Sequence, residues 1–134
     1  MKQVLATIVG LIAASLSVFL IEKIGHSMFP MPDTIDPYDM ESIKNNIELI
    51  PKGNMAFVAL AHGLGILAGM FVAGLIAKSS LIPAYIVGGL MVIISVMYYF
   101  LIPSPTWFIV ADLSSIIIGF FIGKKLAAGK IQSP

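Results

Sequence analysis

"VLATIVGLIAASLSVFLIEKIGHSMF", residues 4–29, is the stretch that decides the fold of this chain. A helix needs about 20 mostly apolar residues to cross a bilayer, and this stretch supplies them. Three further stretches do the same, and prolines lie at their borders, where helices begin or end. The predicted spans are residues 4–29, 55–77, 81–102 and 106–123. We therefore predict an all-α membrane protein, an antiparallel four-transmembrane-helix bundle that forms one domain over residues 1–134.

The composition agrees with a membrane protein and excludes several function classes. Of the 134 residues, 58% are hydrophobic and 11% are charged, which is outside the range of soluble domains. The chain has no cysteine, which excludes disulfides, thiolate metal sites and cysteine nucleophiles. It also has no arginine, so bidentate phosphate clamps are not expected. The net charge of +1 argues against a nucleic-acid partner.

The distribution of charge predicts an orientation. Lysines without acids lie on one side of the predicted spans, and the loop of residues 30–54 on the other side is rich in acids. The positive-inside rule then places both termini in the cytoplasm. The first apolar run exceeds the roughly 7–15 residue core of a signal peptide, so we expect it to be retained. The lysines of the predicted cytoplasmic side are Lys2, Lys78, Lys124, Lys125 and Lys130.

A short amphipathic helix is predicted in the loop between the first two spans, within "DPYDMESIKNNIELIP", residues 36–51. Asp36 is a suitable N-cap, and Pro37 suits the first helical position. Apolar residues from Met40 to Ile50 recur at helical spacing. We predict a helix over about residues 37–49 that lies on the outer membrane surface. The alternative is a connecting loop with a transient helix, since short helices are marginal.

Small residues recur at four-residue spacing along the spans. In lipid, such faces let helices approach closely and carry the packing between them. We predict that these faces meet in a compact bundle, although one of them could instead form a homodimer. The main packing positions are Gly65, Gly69, Gly119 and Gly123.

Four ionisable residues on three spans lie at a similar predicted depth: Glu22, His26, His62 and Asp112. Charged groups within a span are costly and usually turn toward the protein interior or a watery cavity. Helical spacing places these residues on the same faces as the small residues, so we predict that they gather between the helices near the outer side. We expect Lys23 to extend to the outer surface, or alternatively to pair with Asp112 or the acidic loop. Ser15, Tyr98, Tyr99 and Ser115 are predicted to support the cluster with hydroxyl groups.

The predicted cluster allows three kinds of role. A hydrogen-bond network would hold the helices in register. Proton handling is a second role, because membrane-embedded acids and histidines form relays in transporters. Metal binding is a third, with His26, His62 and Glu22 as candidate ligands, although no known zinc motif is present. Serine hydrolysis is disfavoured because nothing in the sequence matches a nucleophile elbow.

The order "EKIGHSMFPMPD", residues 22–33, followed by a short acidic helix and a glycine-striped span, resembles a group of small uncharacterised bacterial membrane proteins. Those four-span chains have an E-x3-H-x2-aromatic-Pro signature, which Glu22, His26, Phe29 and Pro30 match here. The resemblance implies a bacterial inner membrane and marks Glu22 and His26. It carries no activity that can be transferred.

Together these observations favour a non-enzymatic structural or accessory protein of the inner membrane, embedded in the lipid bilayer. The expected partner is a second copy or a larger membrane complex, and no cofactor is expected. The alternatives are a proton-coupled small-solute transporter and a metal-binding membrane protein or enzyme.

Overall fold

The computed structural model describes residues 1–131, and within them the chain is all-α, without a β-strand. The last three residues of the predicted domain, 132–134, lie outside this range. Residues 1–131 fold into five α-helices and a 3₁₀ turn. The elements are α1 (Lys2–Met28), α2 (Met40–Asn45), the 3₁₀ turn (Ile47–Leu49), α3 (Lys52–Ala77), α4 (Ile82–Leu101) and α5 (Thr106–Ala128).

Helices α1, α3, α4 and α5 are long and apolar enough to cross a bilayer, with mean hydropathies between 1.8 and 2.6. The chain is therefore a multi-pass membrane protein, and the predicted four-helix bundle is confirmed. Gln3 Nε2 donates a hydrogen bond of 3.0 Å to Ser79 Oγ, which ties the start of α1 to the turn between α3 and α4. We call the opposite end of the bundle the outer end, after the orientation predicted from the sequence.

The helices differ from the predicted spans mainly at their ends. The second span begins at Lys52 instead of residue 55, and the fourth continues to Ala128 instead of ending at residue 123. The extension of α5 carries Lys124 and Lys125, whose side chains are exposed. Hydrophobicity marks the part of a helix that lies in lipid, whereas the backbone hydrogen bonds continue through the lysines beyond it.

The prediction for the loop helix was wrong about where the helix begins and about its continuity. Helix α2 begins at Met40, because the Asp39 carboxylate caps it by accepting from the Glu41 N–H at 3.1 Å. Asp36 instead accepts from the Tyr38 N–H at 2.9 Å, so Pro37 lies in a turn and not in a helix. The helix ends at Asn45, and a separate 3₁₀ turn follows it.

Helix α3 lies at the centre of the bundle and packs against the other three long helices. Its small residues permit this. A Cβ at Gly69 would lie 2.7 Å from Ala14 Cβ and 2.9 Å from Gly10 O, so α1 and α3 approach with almost no side chain between them. A Cβ at Gly119 would overlap the backbone of Gly63, where α3 meets α5. A Cβ at Gly65 would lie 2.5 Å from Val18 Cγ2, and a Cβ at Gly123 would lie 3.0 Å from Leu67 Cα.

The loop of residues 30–51, which we call the outer segment, covers the outer end of the bundle. Ile35 and Ile50 are buried there, in one apolar cluster with Met55, Ala59 and Phe108 of the long helices. Burying isoleucine side chains stabilises the docked loop by about 1.5–3 kcal/mol each. The outer segment is therefore held down by apolar packing, and it forms one wall of a cavity.

Candidate functional site

A cavity of about 580 Å³ lies between the outer segment and the outer ends of the long helices; we call it the outer cavity. Methionine and isoleucine side chains line much of it, including Met40 and Ile43 of the outer segment and Met91 and Ile94 of α4. The rest of the wall is polar. The polar lining consists of Ser15, Glu22, His26, Tyr38, Asn54, His62, Ser95, Tyr98, Tyr99 and Ser104.

Asp112 of α5 lies behind this wall, completely buried, and holds two side chains of the lining. His62 Nδ1 lies 2.6 Å from Asp112 Oδ1, and the Tyr99 hydroxyl donates to Oδ2. Since a carboxylate can only accept, the proton of the His62–Asp112 contact lies on Nδ1. Both carboxylate oxygens are satisfied, which compensates the burial of the acid. Helices α3, α4 and α5 are thus joined by a single carboxylate.

The close approach of α3 and α5 makes this geometry available. Gly63, which follows His62 in the chain, contacts the backbone near Gly119, two turns after Asp112. With the two helices this near, a short aspartate side chain reaches the imidazole directly. The other ring nitrogen of His62, Nε2, makes no hydrogen bond to any residue in 1–131, and the His62 side chain is 14% exposed. In the neutral ring this Nε2 carries a lone pair.

A second polar contact lies where α1 ends. The buried Asn54 amide donates from Nδ2 to Phe29 O at 3.0 Å, and the same nitrogen lies 2.7 Å from His26 Nδ1. The bond to the carbonyl identifies Nδ2 as the donating side of the amide, so His26 Nδ1 is the acceptor. His26 is therefore a neutral imidazole with its proton on Nε2. Asn54 also satisfies a carbonyl that the end of α1 leaves free.

Glu22 differs from the other ionisable groups of the site. It lines the outer cavity together with His62 and His26. Among the described residues, however, its carboxylate makes no side-chain hydrogen bond and no ion pair within 4.0 Å. Glu22 lies six residues before the end of α1, or about 9 Å from that end. An acid at this depth normally has a partner or faces a watery cavity.

The remaining residues of the predicted site divide into those at the cavity and those away from it. Ser15 and Tyr98 line the cavity beside Tyr99. Ser115 instead packs against Gly63 between α3 and α5. Lys23 is exposed, with Nζ 6.0 Å from the centroid of the Phe19 ring, and it does not pair with Asp112.

Sequence reasoning missed four polar residues of the cavity lining, namely Tyr38, Asn54, Ser95 and Ser104. Asn54 and Ser95 are buried. Asn54 lies before the predicted start of its span and was counted with the loop. It stands eight residues before His62, about 12 Å along the same helix. This position on the helix of His62 is the only feature of the sequence that links Asn54 to the site. Ser95 is a single serine in an apolar span, and such residues often bond only their own helix.

The residues that the structure describes contain no group of three or more histidine, aspartate or glutamate side chains close enough to hold a metal ion. His26 Nδ1 is occupied by Asn54, and His62 Nδ1 is occupied by Asp112. The predicted ligands therefore do not converge as a set.

No protein-family model, curated protein or solved structure matches this chain.

Proposed function

We propose that this chain is a solute-binding membrane protein that takes a small molecule into the outer cavity, with Glu22 as the group that attracts it. The observation that carries this proposal is the unpaired Glu22 carboxylate in the cavity wall. The other acid and both histidines of the site have partners: Asp112 has two, and each histidine has one.

A purely structural role explains only part of the site. A hydrogen-bond network that holds the helices in register accounts for Asp112, His62 and Tyr99, because each of them joins different helices. It does not account for Glu22, whose charge is costly at this depth and which joins nothing within the described residues. The cavity beside it has a suitable volume, since small-molecule sites typically occupy about 300–1,000 Å³. Solute binding therefore explains more of the site than the accessory role that the sequence favours.

The test is whether a small solute reaches the cavity. Because the chain has no cysteine, Ser95→Cys introduces a single thiol into the cavity wall. We expect this thiol to react with neutral methyl methanethiosulfonate in purified protein. Ser115→Cys is the matched control, since Ser115 lies between helices away from the cavity. Equal rates for the two variants, or an unreactive Ser95→Cys, would contradict solute binding in the cavity.

Proton-coupled transport is the second candidate, and the His62–Asp112 contact favours it. An imidazole held by a buried carboxylate, with its second nitrogen free at a cavity, can exchange a proton with a bound solute. The probe is uptake of radiolabelled guanidinium, a cation with N–H donors, into proteoliposomes with an acidic interior. Transport predicts that uptake depends on the pH gradient and is lost in Glu22→Gln. Uptake equal to that of protein-free liposomes would rule this candidate out for that probe.

We further propose that the protein lies in a bacterial inner membrane with both termini in the cytoplasm. The lysine-rich end of the bundle and the acidic outer segment support this orientation. The resemblance at residues 22–33 supports the bacterial membrane. With this orientation the outer cavity opens on the non-cytoplasmic side.

A further inference from the structure

We infer that the solute of the outer cavity is an amphipathic amine, with its ammonium group at Glu22 and its alkyl body against the apolar wall. This inference rests on the proposed function and names the chemical class of the ligand. It follows from the charge of the cavity, from the shape of its lining and from a groove that continues it.

The charged groups of the cavity wall favour a cation. Glu22 is the acid that lines it, and no lysine lines it among residues 1–131. Lys23, which follows Glu22 in the chain, stands over the Phe19 ring and is absent from the wall. His26 adds no positive charge in this geometry, because its Nδ1 accepts from Asn54. A cation near an unpaired carboxylate is favoured over an anion by the attraction between opposite charges.

Hydrogen bonding narrows the cation to one with N–H donors. The Glu22 carboxylate is an acceptor, and so is the free Nε2 of His62 when the ring is neutral. Both residues line the cavity, and neither the Glu22 carboxylate nor His62 Nε2 has another partner in the described chain. A primary ammonium has three donors and can serve both acceptors, whereas an alcohol has one donor and no charge.

The remainder of the wall suits an alkyl chain. The outer segment and α4 present flexible methionines and isoleucines, and such methionines adapt to ligands of varied shape. A polar end and an apolar body within one cavity match an amphipathic molecule better than a small hydrophilic ion.

A shallow groove on α1 provides room for the end of the alkyl chain. It has a volume of about 410 Å³, and its five lining residues are mostly apolar. Ser15 and Phe19 line both the groove and the outer cavity, so the two spaces meet at these residues. We assign this groove to the alkyl tail of an amine whose head lies at Glu22.

Protection of the Ser95→Cys thiol tests this inference at the site itself. Purified Ser95→Cys protein in nanodiscs is treated with methyl methanethiosulfonate in the presence of decylamine, decanol or decanoate, which have the same chain length. We expect decylamine to slow the modification at concentrations where decanol and decanoate have little effect. Adding Glu22→Gln should raise the decylamine concentration for half-protection about tenfold or more. Adding Glu48→Gln, an exposed acid away from the cavity lining, should leave it unchanged.

The outcomes separate this inference from the proposed function. Equal protection by decylamine and decanol, or stronger protection by decanoate, would overturn the amine while leaving a cavity that binds solutes. Failure of the thiol to react at all would overturn both. The comparison of the three amphiphiles uses native Glu22, so it decides the question even if Glu22→Gln does not fold. If the Glu22→Gln and Glu48→Gln proteins need the same decylamine concentration for half-protection, the role of Glu22 is also overturned.

Discussion

His62 Nδ1 lies 2.6 Å from Asp112 Oδ1, and this contact fixes an imidazole of the cavity wall from behind. Because Asp112 is fully buried and also accepts from the Tyr99 hydroxyl, the carboxylate is out of reach of a cavity ligand. The bond on Nδ1 leaves Nε2 as the nitrogen that can meet a ligand. Asp112 is thus a positioning residue, and Glu22 and His62 are the groups that a solute would contact.

Substitution of Asp112 tests whether its hydrogen bonds to His62 and Tyr99 stabilise the protein. Asp112→Ala should lower the free energy of unfolding by about 1–3 kcal/mol, because it leaves two donors without an acceptor. Tyr99→Phe should cost about 1 kcal/mol in the native background and much less in the Asp112→Ala background. Unfolding in mixed detergent measures both values. Asp33→Ala is the control, because Asp33 is an exposed acid of the outer segment. If the stability losses of Tyr99→Phe and Asp112→Ala simply add in the double variant, the two residues do not act as a unit.

The amide of Asn54 gives a second prediction. Asn54→Asp replaces a donor with a carboxylate that would face two acceptors, Phe29 O and His26 Nδ1. We expect a loss of about 1–3 kcal/mol in the free energy of unfolding. An acid in the first turn of α3 gains only about 0.3–1 kcal/mol from the helix dipole. This gain is smaller than the cost of losing the two hydrogen bonds, so we expect a net loss of stability. Thermal unfolding in detergent measures it, with Asn45→Asp at an exposed position as the control. An unchanged melting temperature would show that the amide is not needed.

The fold was largely predictable from the sequence because the bilayer dictates the length and hydrophobicity of each crossing. The polar site was only partly predictable. Helical periodicity places Asp112 on the same face as Gly119, but it cannot say which helix that face meets. The unpaired state of Glu22 depends on where all its neighbours lie, so no local pattern reveals it. The start of α2 was missed because Asp36 and Asp39 are both suitable caps. The choice between them depends on tertiary contacts, including the buried Ile35.

The close approach of α3 and α5 predicts a strong dependence on glycine. Gly119→Ala should lower the free energy of unfolding by about 1–3 kcal/mol, because the added Cβ would lie 2.9 Å from Gly63 Cα and even closer to its carbonyl. Gly89→Ala is the matched control, since nothing lies within 4 Å of a Cβ there. Gly89→Ala should leave the free energy of unfolding unchanged or raise it by up to about 1 kcal/mol, because alanine favours the helix more than glycine does. Equal effects of the two substitutions in a thermal unfolding assay would contradict the packing described for α3 and α5.

Lys78 offers a stabilising substitution. It ends α3 in the left-handed region with φ of 60°, where a side chain is unfavourable and glycine is not. Lys78→Gly should therefore raise the free energy of unfolding by about 1 kcal/mol. Lys124→Gly, within α5, should lower it by a similar amount, because glycine weakens a helix interior. Unfolding of both variants in one detergent gives the comparison, and a loss on Lys78→Gly would show that this residue is not strained.

The proposed orientation predicts which end of the bundle an impermeant reagent reaches. Tyr38 in the outer segment is 92% exposed, and Lys124 is exposed at the opposite end of the bundle. In right-side-out bacterial membrane vesicles, Tyr38→Cys should react with a membrane-impermeant maleimide, and Lys124→Cys should react only after the vesicles are opened. The chain has no cysteine of its own, so each signal comes from one position. The reverse pattern would place the lysine-rich end outside, and the outer cavity would then open to the cytoplasm because it lies at the same end as Tyr38.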